Sequence, residues 1–453
     1  MAQLTNSEPH VAVLNFPFGS HAAALLTLLN RLAMACPNTL FSFFNTAQSN
    51  NSVFSSQQTQ PNIKAYNVAD GVPDGYVFGG KPEEGIELFM KAAQENFKQG
   101  VEVAVAESGR KLSCLVTDAF LWFGKDMAME YGVPWLASFT SGVFPLSSHV
   151  YTDLLREKFG VAGIVGREDE ALNFIPGMSD IRIGDLPEGI VSGNLDSIFS
   201  RMLHRMGQVL PEAAAVLIND FEEVDPVITN DLKSKLKKLL PVGPFILSAT
   251  AAAVSDSYGC LAWLDKQKPA SVAYIGFGSV ATPPPNELVA LAEALEASRV
   301  PFIWSLRDKF KVHLPNGFIE RANGIVVPWA PQPQVLAHAA VGVFFSHCGH
   351  SSLLESIAGG VPMIARPFFG EQNLNARVIE AVWEIGVIVK GGIFTNNGII
   401  SCLDLVLAQE KGKQMRQNLK ALKELAHAAV GPQGSTTRNF KQLLDLICTK
   451  TSA

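Results

Sequence analysis

The stretch WAPQPQVLAHAAVGVFFSHCGHSSLLESIAGGVPMIARPFFGEQ, Trp329 to Gln372, decides the fold of this chain. Its apolar run Gly342–Ser346 reads as a buried strand that feeds a Gly-containing turn and then a helix opened by Ser351 and Ser352. A second strand, Pro362–Ala365, follows. A helix N-terminus with hydroxyl caps is a ready anion site, because unpaired N–H groups and the positive end of the dipole act together. His347, at the strand tip, is placed to donate to a phosphate. Glu355 stands three residues after Ser352, which is capping-box spacing, and the same place lets a carboxylate take both hydroxyls of a ribose. Trp329 heads the preceding turn and offers a flat face for a base. Glu371 and Gln372 supply hydrogen-bonding side chains for sugar hydroxyls.

The same alternation runs outward in both directions. Upstream of the box, Ser271–Gly276, Pro301–Ser305 and Gly324–Val327 read as strands, with a helix over Asn286–Ala297. In the first half, strands are expected at His10–Phe16, Thr39–Asn45, Ile63–Asn67, Ser113–Val116 and Pro134–Phe139. Helices are expected over Ala22–Ala35 and Gly85–Glu107. Strands alternating with helices imply parallel βαβ units. The expected fold class is therefore α/β, as two doubly wound Rossmann-like domains with ligands in a cleft at the carboxyl ends of the strands. An aperiodic Pro/Ala/Ser-rich stretch suits a linker over 241–258, between an N-terminal domain 1–240 and a C-terminal domain 259–430. A last helix in 431–453 is expected to pack back on the first domain.

Bulk properties narrow the function. At 453 residues the chain is too long for one core, and 47% hydrophobic with 17% charged residues argues against disorder. A formal net charge of −6 without a basic stripe sets nucleic-acid binding aside. The N-terminus shows no charged and then apolar leader, and no window approaches a membrane span. The six cysteines (Cys36, Cys114, Cys260, Cys348, Cys402 and Cys448) lack CxxC spacing and read as reduced, mostly buried thiols. A cytoplasmic monomer is expected. His347 and His350 beside Cys348 lack a second ligand cluster, so zinc is not expected.

The other wall of the cleft supplies a base. The first strand ends in NFPFGSH, a Pro/Gly loop carrying His21 at the mouth of the next helix. Asp118 ends a neighbouring strand, and the shared topology brings it towards His21. An imidazole held by a carboxylate is the arrangement of a general base. The loop FGSVATPPP, 277–285, offers Ser279 and backbone N–H groups to a pyrophosphate, although it is not a GxGxxG dinucleotide fingerprint.

At these residues the sequence resembles the plant family-1 UDP-glycosyltransferases. The stretch from Trp329 to Gln372 looks like their secondary-product glycosyltransferase box. The segments HVAVLNFPFGSHAAALL, DGVPDGYVFGG and FSRMLHRMGQVLP look like the flavonoid 3-O-glycosyltransferase branch. The resemblance implies a GT-B fold and an inverting, metal-independent transfer from a UDP-sugar to a flavonoid hydroxyl, the 3-OH of a flavonol or anthocyanidin. It implies that His21 deprotonates the acceptor and Asp118 orients it. It further implies that Trp329 stacks on uracil with Ala330 and Gln332 at its edge, and that Glu355 takes the ribose. His347, Gly349, Ser352 and Ser279 would hold the diphosphate, with Glu371, Gln372 and Thr140 facing the sugar. Phe16, Ser20, His149, Phe199 and Phe369 would contact the acceptor.

Three departures from the family pattern bear on the donor. After HCG the family usually carries Trp-Asn, where this chain has His350-Ser351, and the usual Asp before Gln372 is Glu371. All three fall at sugar or phosphate contacts. The residues leave UDP-rhamnose and UDP-glucose as near-equal donors. Two other readings stand beside transfer to a flavonoid: a UDP-sugar-binding protein with impaired turnover, and a transferase for another small phenolic acceptor.

Overall fold

The computed structural model describes residues 8–80, 83–160, 164–248, 255–278 and 280–448. The chain divides into two compact units: Met1–Val165 with Glu188–Ala252 and Ala429–Ala453, and Gly166–Pro187 with Ala253–Ala428.

The first unit is built on β1 (His10–Leu14), β2 (Leu40–Thr46), β3 (Ile63–Val68), β4 (Cys114–Asp118), β5 (Trp135–Phe139), β6 (Ala215–Ile218) and β7 (Leu239–Pro241). All pair in parallel, in the order β3-β2-β1-β4-β5-β6-β7. The second unit holds β8 (Val272–Gly276), β9 (Phe302–Ser305), β10 (Gly324–Val327), β11 (Val341–Ser346), β12 (Met363–Ala365) and β13 (Gly386–Ile388). Its order is β10-β9-β8-β11-β12-β13, again parallel throughout. Central strands such as β1, β4 and β8 are buried along their whole length, as a sheet covered on both faces requires. In each sheet the order reverses once, between β1 and β4 and between β8 and β11. Loops beyond the carboxyl ends of these four strands therefore border a crevice in each unit.

Several expectations need correction. Within 241–258, Pro241 completes β7 and Phe245–Ser248 is a short helix whose Phe245 joins the core with its N–H bonded to Asn219 Oδ1 at 2.9 Å. Residues 249–254 of that stretch lie outside the described residues. Gly166–Pro187 does not belong with the first unit as the range 1–240 implied; Arg377 Nε donates to Asp185 Oδ2 at 3.0 Å and ties it to the second. The strands β6, β7 and β13 are only three or four residues long and leave no periodic signal.

The six-thiol reading also fails at one pair. Cys36, just past the first helix His21–Ala35, and Cys448, the last residue of the helix Ser435–Cys448, form a disulfide. Their separation of 412 residues hides the pairing from any spacing rule. What brings them together is burial: Leu443 and Ile447 enter the same core as Leu29 and Leu32. Asn439 Nδ2 donates to the Pro241 carbonyl at 3.0 Å, and Arg31 lies 4.3 Å over the Phe440 ring. The other four cysteines are free, and burial pushes the Cys114 thiol up to about 12. Among the described residues no helix is long and apolar enough to cross a membrane.

Candidate active site

In the first unit, β1 runs into Asn15-Phe16-Pro17-Phe18, and Gly19, at φ 63, turns the chain into the helix that His21 begins. His21 thus sits at the first helical position beyond β1, and Asp118 is the last residue of the adjacent β4. Their side chains meet: His21 Nδ1 lies 2.7 Å from Asp118 Oδ2. The carboxylate is fully buried, and its other oxygen, Oδ1, accepts from the Phe120 N–H at 2.9 Å. Because an ionised carboxylate only accepts, the proton resides on Nδ1 and Nε2 keeps a lone pair. The Thr140 hydroxyl is 3.3 Å from the same Nδ1, so Thr140 braces the imidazole from the end of β5. Ser20, the residue before the helix, is exposed and makes no side-chain cap.

Aromatic rings surround this pair, though not in the arrangement expected. Phe16 is only 2% exposed and lies edge-on to His21 at 5.2 Å, so it backs the wall instead of facing a ligand. The partly exposed rings are Phe18, Phe120 and Phe199. Phe120 is 4.7 Å from His21 and 6.3 Å from Phe199, and it is the site residue that the sequence reading missed. Its signal was available, since it follows Asp118 by two residues in TDAF. His149, on the helix Val143–Val150, is 4% exposed; its Nδ1 makes no hydrogen bond, and burial pushes its pKa down to about 4. It is a neutral imidazole whose unsatisfied nitrogen suits a hydroxyl.

The second unit carries a cavity of about 400 Å³ beyond the ends of β8 and β9, lined by Gly278, Thr282, Arg307, Trp329, Ala330 and Gln332 among others. Trp329 is 45% exposed there, a large ring face left open to a ligand. Gln332 Nε2 donates to Ser352 Oγ at 2.9 Å and to Glu355 Oε2 at 2.5 Å, while Tyr274 donates to Gln332 Oε1 at 3.2 Å. Burial pushes the Glu355 carboxyl up to about 7, with the Gln332 bond opposing it. The capping-box alternative for Glu355 is overturned. The helix begins at His350 with Gly349 as its cap, Ser351 and Ser352 lie within the first turn, and no side chain caps it.

His347 is packed between two glycines. A Cβ on Gly278, already at φ +72, would meet its Cε1 at 2.9 Å, and one on Gly349 would collide with Nε2. Desolvation pushes its pKa down to about 4, so this imidazole is neutral and contributes an N–H rather than a charge. Cys348, at φ 65, reverses the chain so that Gly349 can open the helix, and its carbonyl accepts from Asn375 Nδ2 at 2.9 Å. Ser279 lies outside the described residues. His350 is buried in the first turn, and Glu371 precedes the helix Gln372–Arg377. Gln372 is buried too, and its Oε1 accepts from the N–H groups of Phe368 at 2.8 Å and Phe369 at 3.3 Å, so only its amide nitrogen is left to meet a ligand. Phe369 is 52% exposed on this unit. Among the described residues no group of three or more His, Cys, Asp or Glu side chains is arranged to hold a metal ion.

Comparisons with known proteins agree with this geometry. Residues 13–429 match the family "UDP-glucoronosyl and UDP-glucosyl transferase". The chain is 62% identical over 447 residues to an anthocyanidin 3-O-glucosyltransferase of Vitis vinifera, covering 98% of each protein. It is 56% identical to a flavonol 3-O-glucosyltransferase of Arabidopsis thaliana, covering 97% of each. A crystal structure of a UDP-glucose:anthocyanidin 3-O-glucosyltransferase with UDP superposes with a TM-score of 0.92 at 42% identity, over 98% of this chain and 99% of that one. Two doubly wound parallel sheets, an imidazole held by a carboxylate and a nucleotide-sized cavity behind an open tryptophan thus belong to a GT-B protein, and the chain is a member of the UDP-glycosyltransferase family.

Proposed function

We propose that this protein transfers a hexose from a UDP-sugar to the 3-hydroxyl of a flavonol or anthocyanidin, with inversion and without a metal ion. The observation that carries the reading is the His21–Asp118 pair at 2.7 Å beside the partly exposed rings of Phe120 and Phe199. His21 Nε2 takes the proton of the acceptor hydroxyl as its oxygen attacks the anomeric carbon. The bond to UDP breaks in the same step, and the imidazolium is stabilised by Asp118 until it returns its proton to solvent. One displacement and no carboxylate nucleophile mean inversion. The flat acceptor rests on the aromatic wall, and His149 Nδ1 accepts from one of its other hydroxyls.

Charge appearing on the departing UDP is met by the N–H of His347, the backbone N–H groups that begin the helix His350–Gly359, and its dipole. Trp329 stacks on the base, and Glu355 accepts from the ribose hydroxyls. Of the two donors the residues left open, we propose glucose. The relatives at 62% and 56% identity are glucosyltransferases by name, and His350, in place of the usual Trp, is buried rather than an open sugar wall.

Incubating the purified protein with a flavonol or an anthocyanidin and UDP-glucose, UDP-galactose or UDP-rhamnose tests the reading. Transfer of glucose to the 3-hydroxyl is expected, and it should survive excess EDTA because protein N–H groups meet the charge. Activity lost to EDTA and restored by Mg²⁺ or Mn²⁺ would end the metal-free mechanism. UDP binding without transfer to any acceptor would mean a binding protein instead, and faster transfer of rhamnose would overturn the donor.

Glu355 adds a pH dependence. Its carboxyl is raised to about 7 by burial, so the ionised form that accepts two ribose hydroxyls is lost as pH falls below that value. UDP affinity should drop by about tenfold between about pH 8 and about pH 6, since each unit below the pKa costs a factor of ten in carboxylate. The Glu355→Gln variant shares UDP's own titration but not this one and should show a flatter profile by calorimetry. Parallel profiles for the two proteins would remove Glu355 from the ribose site.

A further inference from the structure

Beyond β12, the loop Arg366–Glu371 leads into the helix that Gln372 opens, and one buried side chain organises it. Arg366 grips Glu287 with two parallel bonds, Nε to Oε2 at 2.9 Å and Nη2 to Oε1 at 2.5 Å. Its Nη1 donates to the Pro367 carbonyl at 2.5 Å, its guanidinium lies 4.2 Å over the Phe368 ring, and its backbone N–H reaches the Ser346 carbonyl at 2.9 Å. Glu287 belongs to the first turn of the helix Pro285–Ser298, which follows shortly after Ala281 and Thr282 of the cavity lining. The same Oε2 accepts from the Phe394 N–H at 2.8 Å, and Phe277 packs edge-on to Phe368 at 5.9 Å. Both partners are buried. The pair therefore clamps the end of β12, the segment Pro367–Phe369 and the start of the Pro285–Ser298 helix into one register.

A buried ion pair is a poor way to gain stability, because desolvating both charges offsets most of their attraction. What a planar fork with a third bond and a stacked face does supply is direction. We propose that Arg366, held by Glu287, is a positioning residue that sets the Pro367–Gln372 loop against the sugar and thereby tunes which hexose is transferred, without acting on the nucleotide. Gln372 is the link. Its carbonyl oxygen is spent on the N–H groups of Phe368 and Phe369, so any shift of those two residues swings the amide nitrogen that faces the sugar. This inference rests on the UDP-sugar reading above.

The test uses Arg366→Lys, which keeps a cation beside Glu287 but loses the fork, the Pro367 bond and the stacked plane. The paired change Arg366→Met with Glu287→Gln removes both charges together, so no buried carboxylate is left alone, and it serves if the lysine variant fails to fold. UDP dissociation constants and kcat/KM for UDP-glucose and UDP-galactose are measured on each. UDP affinity should stay within about threefold, while kcat/KM for UDP-glucose falls by about 10- to 100-fold, mainly in kcat, as expected for a misplacement near 1 Å. The glucose-to-galactose ratio should move towards unity by about fivefold or more. If UDP and both sugar nucleotides weaken by one common factor, or the ratio holds while thermal stability drops, the pair is structural and the proposal is overturned. Failure of the unaltered protein to bind UDP would overturn the function reading itself, which is a separate result.

Discussion

Replacing His21 with alanine should cut turnover by about two to four orders of magnitude while leaving UDP affinity within about threefold, the usual worth of a general base. The argument is local to the first unit. His21 is the first residue of its helix, its Nδ1 is committed to Asp118 at 2.7 Å, and Nε2 is left as the only basic nitrogen of the ring. The nucleotide cavity is lined by residues of the second unit, between Tyr274 and Gln332, whereas His21 belongs to the first. The base and the nucleotide site are thus separable in an experiment. Calorimetry with UDP and initial rates with a flavonol and UDP-glucose decide the matter. A variant retaining more than a tenth of wild-type turnover would show that His21 is not the base.

Asp118→Asn should be nearly as damaging, at about three orders of magnitude in kcat, although it barely changes shape. Asp118 makes two bonds with opposite demands. Oδ1 accepts from the Phe120 N–H, which an amide oxygen does equally well, so that part of the aromatic wall stays in place. Oδ2 accepts from His21 Nδ1, where the amide must present its NH₂. A donor there forces the imidazole proton from Nδ1 to Nε2, and the nitrogen that should take the acceptor's proton already carries one. In a Ser-His-Asp triad the same exchange costs about four orders of magnitude for this reason. The loss should not be recovered at high pH, because the neutral ring is in the wrong tautomer rather than the wrong charge state. Since His21 and Asp118 act as one unit, the double variant should be little worse than either single one. Additive losses would mean that Asp118 contributes by some other route, and a loss under tenfold would mean that orientation of the ring is unimportant.

Much of this site is legible in the sequence because the chemistry is carried by strand ends. A strand of five or six apolar residues announces itself, and the residue that follows it in a parallel sheet is placed at the carboxyl edge whatever the loop does. Asp118, His347 and Trp329 stand in or next to such positions, and His21 opens the helix that follows β1. Phe120 was readable by the same rule and was overlooked because its chemistry is only that of a ring.

Other features depend on where side chains end up in three dimensions. Phe16 was expected to contact the acceptor because the family resemblance implied it, but Phe18, Phe89 and Phe120 crowd around it and it is buried. The capping-box spacing of Ser352 and Glu355 was a sound local reading, yet Gln332, twenty residues upstream of Ser352, captures both side chains and the helix starts two residues earlier. Residue type alone leaves the charge of His347 open, because a free imidazole titrates near neutral pH. Packing between Gly278 and Gly349 strips its water and leaves it neutral.

The sequence by itself determined the α/β class and the places of most strands along the chain, and it singled out the Trp329–Gln372 box and the His21–Asp118 pair as the candidate site, because these follow from periodicity and from motifs contiguous along the chain. Only the tertiary structure decided the partnership of Cys36 with Cys448, the clamp between Arg366 and Glu287, and the protonation of Glu355 and His347. Each of those depends on burial and on distances between segments far apart in sequence. Desolvation and close packing act through space, and neither leaves a periodic trace in the order of the residues.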